Sequence, residues 1–143
     1  ALLRDLAGRG KPLIGICLGM QLLFEKSHEY GEHAGLGLIC GEVRPLAPVL
    51  APGAKVPHMG WDYVTVERPD DPLVAGLEAE PRFYFVHSYH AVLDDPADAL
   101  MTCDYGYPFP AAVRRGNVWG TQFHPEKSHR FGMCLIGNFV KEA

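Results

Sequence analysis

Apolar residues fall into short blocks along this chain, not into one repeating pattern. Leu2, Leu3 and Leu6 recur at helical spacing, and Gly8 and Gly10 behind them supply a stop. Leu13 to Ile16 is an uninterrupted apolar run, as in a strand covered on both faces. From Leu18 to about Lys26 the positions of Leu18, Leu22 and Phe24/Glu25 predict a helix. Helix, buried strand, sharp turn and helix in succession is the order of a doubly wound parallel sheet. The middle changes character. Ile39 to Leu46, Trp61 to Val66 and Phe83 to Val86 are short runs rich in β-branched and aromatic residues, separated by Pro/Gly segments. Pro45 to Pro57 holds four prolines and one glycine and reads as a loop. Ala111 to Arg115 and Val118 to Gln122 flank Gly116-Asn117, a two-residue hairpin signal. Phe131 to Val140 predicts a closing helix, despite Gly132 and Gly137.

Composition changes this picture little. The 143 residues suffice for one domain with a core, 48% are hydrophobic and 21% charged, and the net charge is −4. No basic block offers a nucleic-acid footprint, and no apolar run reaches the length of a membrane span or a signal peptide. Cys17, Cys40, Cys103 and Cys134 are widely spaced with no Cys-x-x-Cys pair, which fits reduced thiols in a cytoplasmic protein. Cys40, Cys103 and Cys134 read as inert buried residues. His124, His129 and Cys134 lack a zinc spacing, so no metal is expected.

The chemistry concentrates in two segments. In Pro12-Leu13-Ile14-Gly15-Ile16-Cys17-Leu18-Gly19-Met20-Gln21 an apolar strand stops at a cysteine flanked by glycines. That is the pattern of a nucleophile elbow, with cysteine where a hydrolase of this architecture often has serine. The following helix is expected to aim N–H groups at the sulfur and favour the thiolate. In Gly120-Thr121-Gln122-Phe123-His124-Pro125-Glu126, a strand ends at Phe123, so His124 is expected at the carboxyl edge of the sheet. Glu126 can turn back to accept a hydrogen bond from the imidazole and stabilise its charged form. Cys17, His124 and Glu126 thus read as nucleophile, base and orienter.

These two segments together resemble the class I (triad-type) glutamine amidotransferases, and the resemblance runs from Ala1 to Val140. Val56-Pro57-His58-Met59-Gly60-Trp61 and Tyr84-Phe85-Val86-His87-Ser88-Tyr89 are similar to the glutaminase subunits that serve imidazole glycerol phosphate synthesis. The resemblance implies an α/β, flavodoxin-like sandwich: a central, mostly parallel sheet, additional antiparallel strands and flanking helices. It implies hydrolysis of glutamine through a cysteine thioester, with no cofactor. Gln21 and Glu29 then resemble the groups that hold the substrate, Ser88 and Tyr89 the opposite wall, and the Leu18 N–H an oxyanion donor. Pro57, Met59 and Trp61 would line a heterodimer interface with a cyclase subunit, a (βα)₈ barrel that receives the ammonia. His58 is given no catalytic role, because its spacing to any acid looks poor.

Two departures stand out: Asp62 follows Trp61 where asparagine is expected, and His90 follows Tyr89 where another residue is common. The family pattern also has strands before the helix at Ala1, including a glycine-rich segment with a second oxyanion donor. Residues 1–143 therefore read as one amidotransferase domain, N-terminally truncated. Three alternatives stay open: the glutaminase of a GMP, anthranilate or carbamoyl phosphate system, a non-catalytic interaction subunit, and a cysteine peptidase or esterase. Gln21 and Glu29, suited to a small charged substrate, weigh against the last.

Overall fold

The computed structural model describes all of residues 1–143. Helix α1 (Leu2–Gly8) leads into β1 (Leu13–Ile16), and a four-residue α2 (Leu18–Gln21) follows directly. Next come β2 (Phe24–Ser27), β3 (His33–Ala34), β4 (Ile39–Pro45), β5 (His58–Tyr63), β6 (Thr65–Val66), β7 (Arg82–His87) and β8 (Tyr89–Leu93). The chain closes with β9 (Ala99–Asp104), β10 (Pro108–Arg115), β11 (Val118–Thr121) and α3 (His129–Glu142).

The architecture is α/β with flanking helices, and its sheets are mixed. One sheet runs β1-β11-β10-β9-β6, a second β3-β2-β4-β8, and β5 pairs with β7 alone. Parallel pairing is confined to β1 with β11 and β2 with β4, so within these residues the sheets are mixed where a mostly parallel sheet is expected. The reason is local. β10 returns to β11 through a two-residue turn at Gly116-Asn117, and such a tight hairpin permits only antiparallel neighbours. Gly116 takes φ +61° while Asn117 does not, as a type II′ turn requires. The Asn117 side chain then ties this turn to Ala7 O and Lys11 O, fixing α1 against the sheet.

The predicted helix from Leu18 to Lys26 stops at Gln21. Leu23 and Phe24 are needed at the core, and their backbone bonds outward: Leu38 and Ile39 donate to Leu23 O, and Gly37 donates to Phe24 O. A helix would spend those carbonyls internally. The closing helix is longer than predicted, and Gly132 is what permits its packing: a Cβ there would sit 1.7 Å from Pro125 O.

The core has two parts. A larger aromatic cluster gathers Phe83, Phe85, Phe109, Phe123, Phe131 and Trp119, with Phe83 stacked on Phe123 at 3.9 Å. A smaller aliphatic cluster joins Met20, Leu23, Phe24, Ile39 and Val43 to Val113 and Val118. β10 reaches both, with Ala112 in the first and Val113 in the second.

His90 interrupts this apolar order. It is 1% exposed, and neither ring nitrogen has a hydrogen-bond partner, although the Arg44 backbone lies opposite in the ladder. Burial pushes its pKa below the ordinary imidazole value and keeps the ring neutral. An unsatisfied buried polar atom costs about 1–3 kcal/mol, whereas an apolar group of similar shape does not. His90→Leu is therefore expected to raise the melting temperature by about 3 °C at neutral pH. A lower melting temperature in a thermal melt would show that the ring is satisfied.

Candidate active site

The Cys17 elbow is built by β1, β11 and the short α2. Cys17 N–H donates to Thr121 O at 2.7 Å, extending the parallel β1–β11 pairing to the last residue before the turn. The backbone then reverses at Cys17 itself, with φ +54° and ψ −108°. A non-glycine residue in this region is strained and survives only where its surroundings hold it. The flanking glycines do not supply this positive φ. Neither carries the turn, and Gly15 serves close approach: a Cβ there would meet Gly19 O at 2.4 Å and Met20 N at 2.7 Å.

His124 is placed from the other side by the free edge of β7. Its N–H donates to Tyr84 O at 2.9 Å, Tyr84 N–H donates to Ser128 Oγ at 3.0 Å, and Ser128 Oγ–H donates to His124 O at 2.6 Å. This closed ring of hydrogen bonds, with Ser128 fully buried, fixes the backbone that carries the imidazole. Two residues along the same edge, the Cys17 thiol donates to Val86 O at 3.9 Å. His124 Nδ1 lies 3.2 Å from Glu126 Oε2, the pairing read from their spacing. No hydrogen bond joins Sγ to the imidazole here; such contacts often tighten only in the substrate complex.

The thiol is not a resting thiolate. Burial is the largest influence and pushes the Cys17 pKa up, with the charges of Glu126 and Glu29 adding to the rise. The Leu18 N–H and a hydrogen bond from Gln122 oppose it without overcoming it. The expected help from a helix N-terminus is small because α2 is one turn long. Any nucleophilic use of this sulfur therefore requires a base to take its proton.

A cavity of about 350 Å³ opens beside the sulfur, within the usual range for a small-molecule site. Cys17, Leu18, Gln21, Glu29, Ser88 and Tyr89 all line it, so the structure gathers every substrate contact named from the sequence. Pro57 belongs to this cavity too, whereas Met59 and Trp61 lie on the outer face of β5, 62% and 44% exposed. Gln21 is 7% exposed and already engaged: its Nε2 donates to Gln122 Oε1 at 3.2 Å and to Tyr89 O at 3.5 Å.

Several residues escaped the sequence reading. Gln122, fully buried, links Gln21 to Cys17 Sγ, with Nε2 3.9 Å from the sulfur. Ser128 pins the His124 turn. His87 lines the cavity beside Ser88 and bonds to His58. His58 does have an acid partner: Asp62 Oδ2 is 3.1 Å from its Nε2. Gly60, at φ +125°, lies between the two and departs from regular strand backbone. His58, Asp62 and Cys103 bring one donor atom each within 4.8 Å of one another, but these donors already satisfy one another and Tyr63 N–H. All four cysteines are free; only Cys103 is buried, its thiol held protonated chiefly by burial.

The fold is α/β, with a thiol on the elbow after β1 and a histidine–carboxylate pair after the neighbouring strand β11. The chain belongs to the class-I glutamine amidotransferases, whose family model, Glutamine amidotransferase class-I, matches residues 1–143. It is 52% identical over 138 residues to the imidazole glycerol phosphate synthase subunit HisH of Wolinella succinogenes, covering 96% of this chain and 67% of that one. The protein of the same name from Salinibacter ruber is 49% identical over 141 residues, covering 96% and 64%. The chain thus spans about two thirds of the length of these curated relatives. Among solved structures, PurLQS from Thermotoga maritima superposes with a TM-score of 0.73 at 22% identity, over 97% of this chain and 65% of that one. A glutamine amidotransferase from the same organism gives 0.62 at 20%, over 99% and 52%. At those identities the likeness is one of fold.

Glu126 acts on Cys17 and His124 in opposite senses. Its charge raises the thiol pKa while its carboxylate orients the imidazole. Glu126→Gln is therefore expected to speed alkylation of Cys17 by iodoacetamide at fixed mildly alkaline pH, because more thiolate is present. Glutamine turnover should fall about tenfold or more. Parallel loss of both rates would mean that Glu126 holds the fold and not the ring.

Proposed function

We propose that the protein is the glutaminase subunit of an imidazole glycerol phosphate synthase, hydrolysing glutamine to glutamate and ammonia. The observation that carries the reading is the convergence of Cys17, Gln21, Glu29, Ser88 and Tyr89 on one cavity of substrate size. It is supported by identity of about half to the HisH proteins over nearly the whole chain.

In this reading the Cys17 sulfur, giving its proton to His124, attacks the side-chain amide carbon of glutamine. The tetrahedral oxyanion is met by the Leu18 N–H, the first backbone donor after the nucleophile. His124 returns the proton to the departing nitrogen, ammonia leaves, and a glutamyl thioester remains on Cys17. Water, deprotonated by the same imidazole, cleaves the thioester to glutamate and restores the thiol. Glu126 keeps Nδ1 engaged so that Nε2 faces the reacting groups. Glu29 suits the substrate ammonium, and the polar groups of Ser88 and Tyr89 its amino-acid end. No metal or organic cofactor enters these steps.

The partner in this reading is the cyclase subunit, a (βα)₈ barrel, docked as a heterodimer. The outer face of β5 and β7 supports it: Met59, Trp61 and Tyr63 stand exposed on one side, opposite Val86, Tyr84 and Arg82. Alternation on β5 puts His58 and Asp62 inward and these apolar side chains outward, an unusual surface to leave in water. No helix is long and apolar enough to cross a membrane. A thiol that must stay reduced accords with a cytoplasmic setting.

The test is covalent labelling by an electrophilic glutamine analogue, with and without the barrel subunit, read by mass spectrometry. A single adduct on Cys17, prevented by excess glutamine and formed faster with the partner, is expected. An adduct elsewhere, or none with the partner present, overturns the glutaminase reading. Equal rates with and without the barrel overturn the assigned partner.

A further inference from the structure

Three contacts of hydrogen-bond length form a line from the β5 strand to the cavity wall. Asp62 Oδ2 lies 3.1 Å from His58 Nε2, His58 Nδ1 lies 2.9 Å from His87 Nε2, and His87 Nδ1 lies 2.8 Å from Tyr89 O. His58 and His87 are 3% and 5% exposed, so little water reaches a link that is not made. His87, Ser88 and Tyr89 together line the cavity beside Cys17.

Proton counting decides what this line can do. A carbonyl oxygen only accepts, so the link to Tyr89 needs a proton on His87 Nδ1. Burial pushes the His87 pKa down to about 4, so the ring is neutral and its Nε2 is then a lone pair. The middle link next needs a proton on His58 Nδ1. A neutral His58 is left with a lone pair on Nε2, facing a carboxylate that also only accepts. Two neutral imidazoles and a carboxylate thus cannot make all three links, and one more proton is required between His58 and Asp62.

Without that proton one link must go. The His58–Asp62 bond is charge-assisted and is the strongest of the three. If it is kept, His58 donates from Nε2 and His87 donates from Nε2 to His58 Nδ1. His87 Nδ1 then turns a lone pair on Tyr89 O. The bond lost is the one at the cavity wall.

We propose that Asp62, His58 and His87 are positioning residues for the Ser88–Tyr89 wall, and that Asp62 draws their hydrogen bonds away from the wall unless an extra proton closes the line. This rests on the reading that the cavity takes glutamine. The other polar and titratable groups around the line do not supply the proton. Asp62 Oδ1 is held by Tyr63 N–H at 2.9 Å, and the Cys103 thiol on β9, which bonds to Asp62, is kept protonated by burial. Asp104 acts on Cys103 only through its charge, and His90 is buried and neutral with no hydrogen bond to the line. The Tyr105 ring stacks on His58 at 4.1 Å, but its hydroxyl donates to Lys55 O. Phe85 and Phe109 complete the surroundings with apolar faces. Glu29 stands elsewhere on the cavity lining.

The sign follows. Burial holds the His58 pKa below its ordinary 6.5 against the pull of Asp62. The line is therefore closed on the acid side and open at neutral and alkaline pH. Asparagine at position 62 would keep Tyr63 N–H on Oδ1 and donate from Nδ2 to His58 Nε2. All three links would then form with neutral rings at any pH.

The experiment compares full-length wild-type and Asp62→Asn proteins, each assembled with the partner subunit, from pH 5.5 to 8.5. At pH 8 the wild-type KM for glutamine should exceed that of the variant by about fivefold, the worth of one hydrogen bond. The ratio should fall as the pH is lowered, and kcat should differ less than KM. Ionisation of Cys17 and His124 is common to both proteins and cancels in the ratio. A pH-independent ratio, or a variant with the higher KM at pH 8, overturns the proposal. Nitrogen-15 spectra of the imidazoles at pH 7.5 read the line directly: His87 should carry its proton on Nε2 in wild type and on Nδ1 in the variant. Nδ1–H in both also overturns it. Those tautomers without glutamine turnover in either protein would remove the glutamine reading and leave the line in place.

Discussion

The free edge of β7 is the constraint on which the site depends. β7 pairs on one side with β5 only, and its other edge presents Tyr84 and Val86 carbonyls pointing the same way, about 7 Å apart. One takes the backbone N–H of His124 and the other the thiol of Cys17. Cys17 and His124 come from different loops, each following its own parallel strand, and this single edge holds both. Phe83 and Phe85, alternating with Tyr84 and Val86 along β7, sink into the aromatic core and keep the edge from moving.

Strain and close packing meet at the elbow. Cys17 holds a positive φ because β11 grips its N–H and α2 begins at once, and that is possible only where backbones nearly touch. Gly15 and Gly120 sit opposite each other in the β1–β11 register. A Cβ on Gly120 would meet Met20 Cγ at 2.7 Å, so the helix can lie across the strands only where both positions lack side chains. The same partial burial that shelters the sulfur raises its pKa. A protonated resting thiol follows from that packing, and in the proposed reaction it is this proton that His124 takes.

What the sequence reveals is what is local. The elbow at Cys17, the strand ending before His124 and the Glu126 return all lie within short contiguous segments, where spacing determines geometry. Helix α2 is over-extended in the sequence because Leu22, Leu23 and Phe24 are apolar at every offset, and periodicity cannot report that Leu23 O and Phe24 O are claimed by residues 37–39. Ser128, Gln122 and the His58–His87 pair leave no pattern, since each acquires its role through a partner 29 to 105 residues away. The poor spacing between His58 and an acid is a judgement about regular strands, and Gly60 at φ +125° breaks that regularity. Pro57 is read as an interface residue from its neighbours Met59 and Trp61, yet it turns toward the cavity at the end of the proline-rich loop.

The β7 edge holds the His124 backbone without reaching the imidazole itself, and Ser128 isolates that contribution. Ser128→Ala deletes the hydroxyl that closes the Tyr84–His124 ring while leaving Cys17, His124 and Glu126 in place. Glutamine turnover by the assembled protein should fall about tenfold, with the pH dependence of Cys17 alkylation unchanged, because the thiol keeps its own surroundings. Unchanged turnover in a folded Ser128→Ala protein would show that the β7 edge does not set the position of the imidazole.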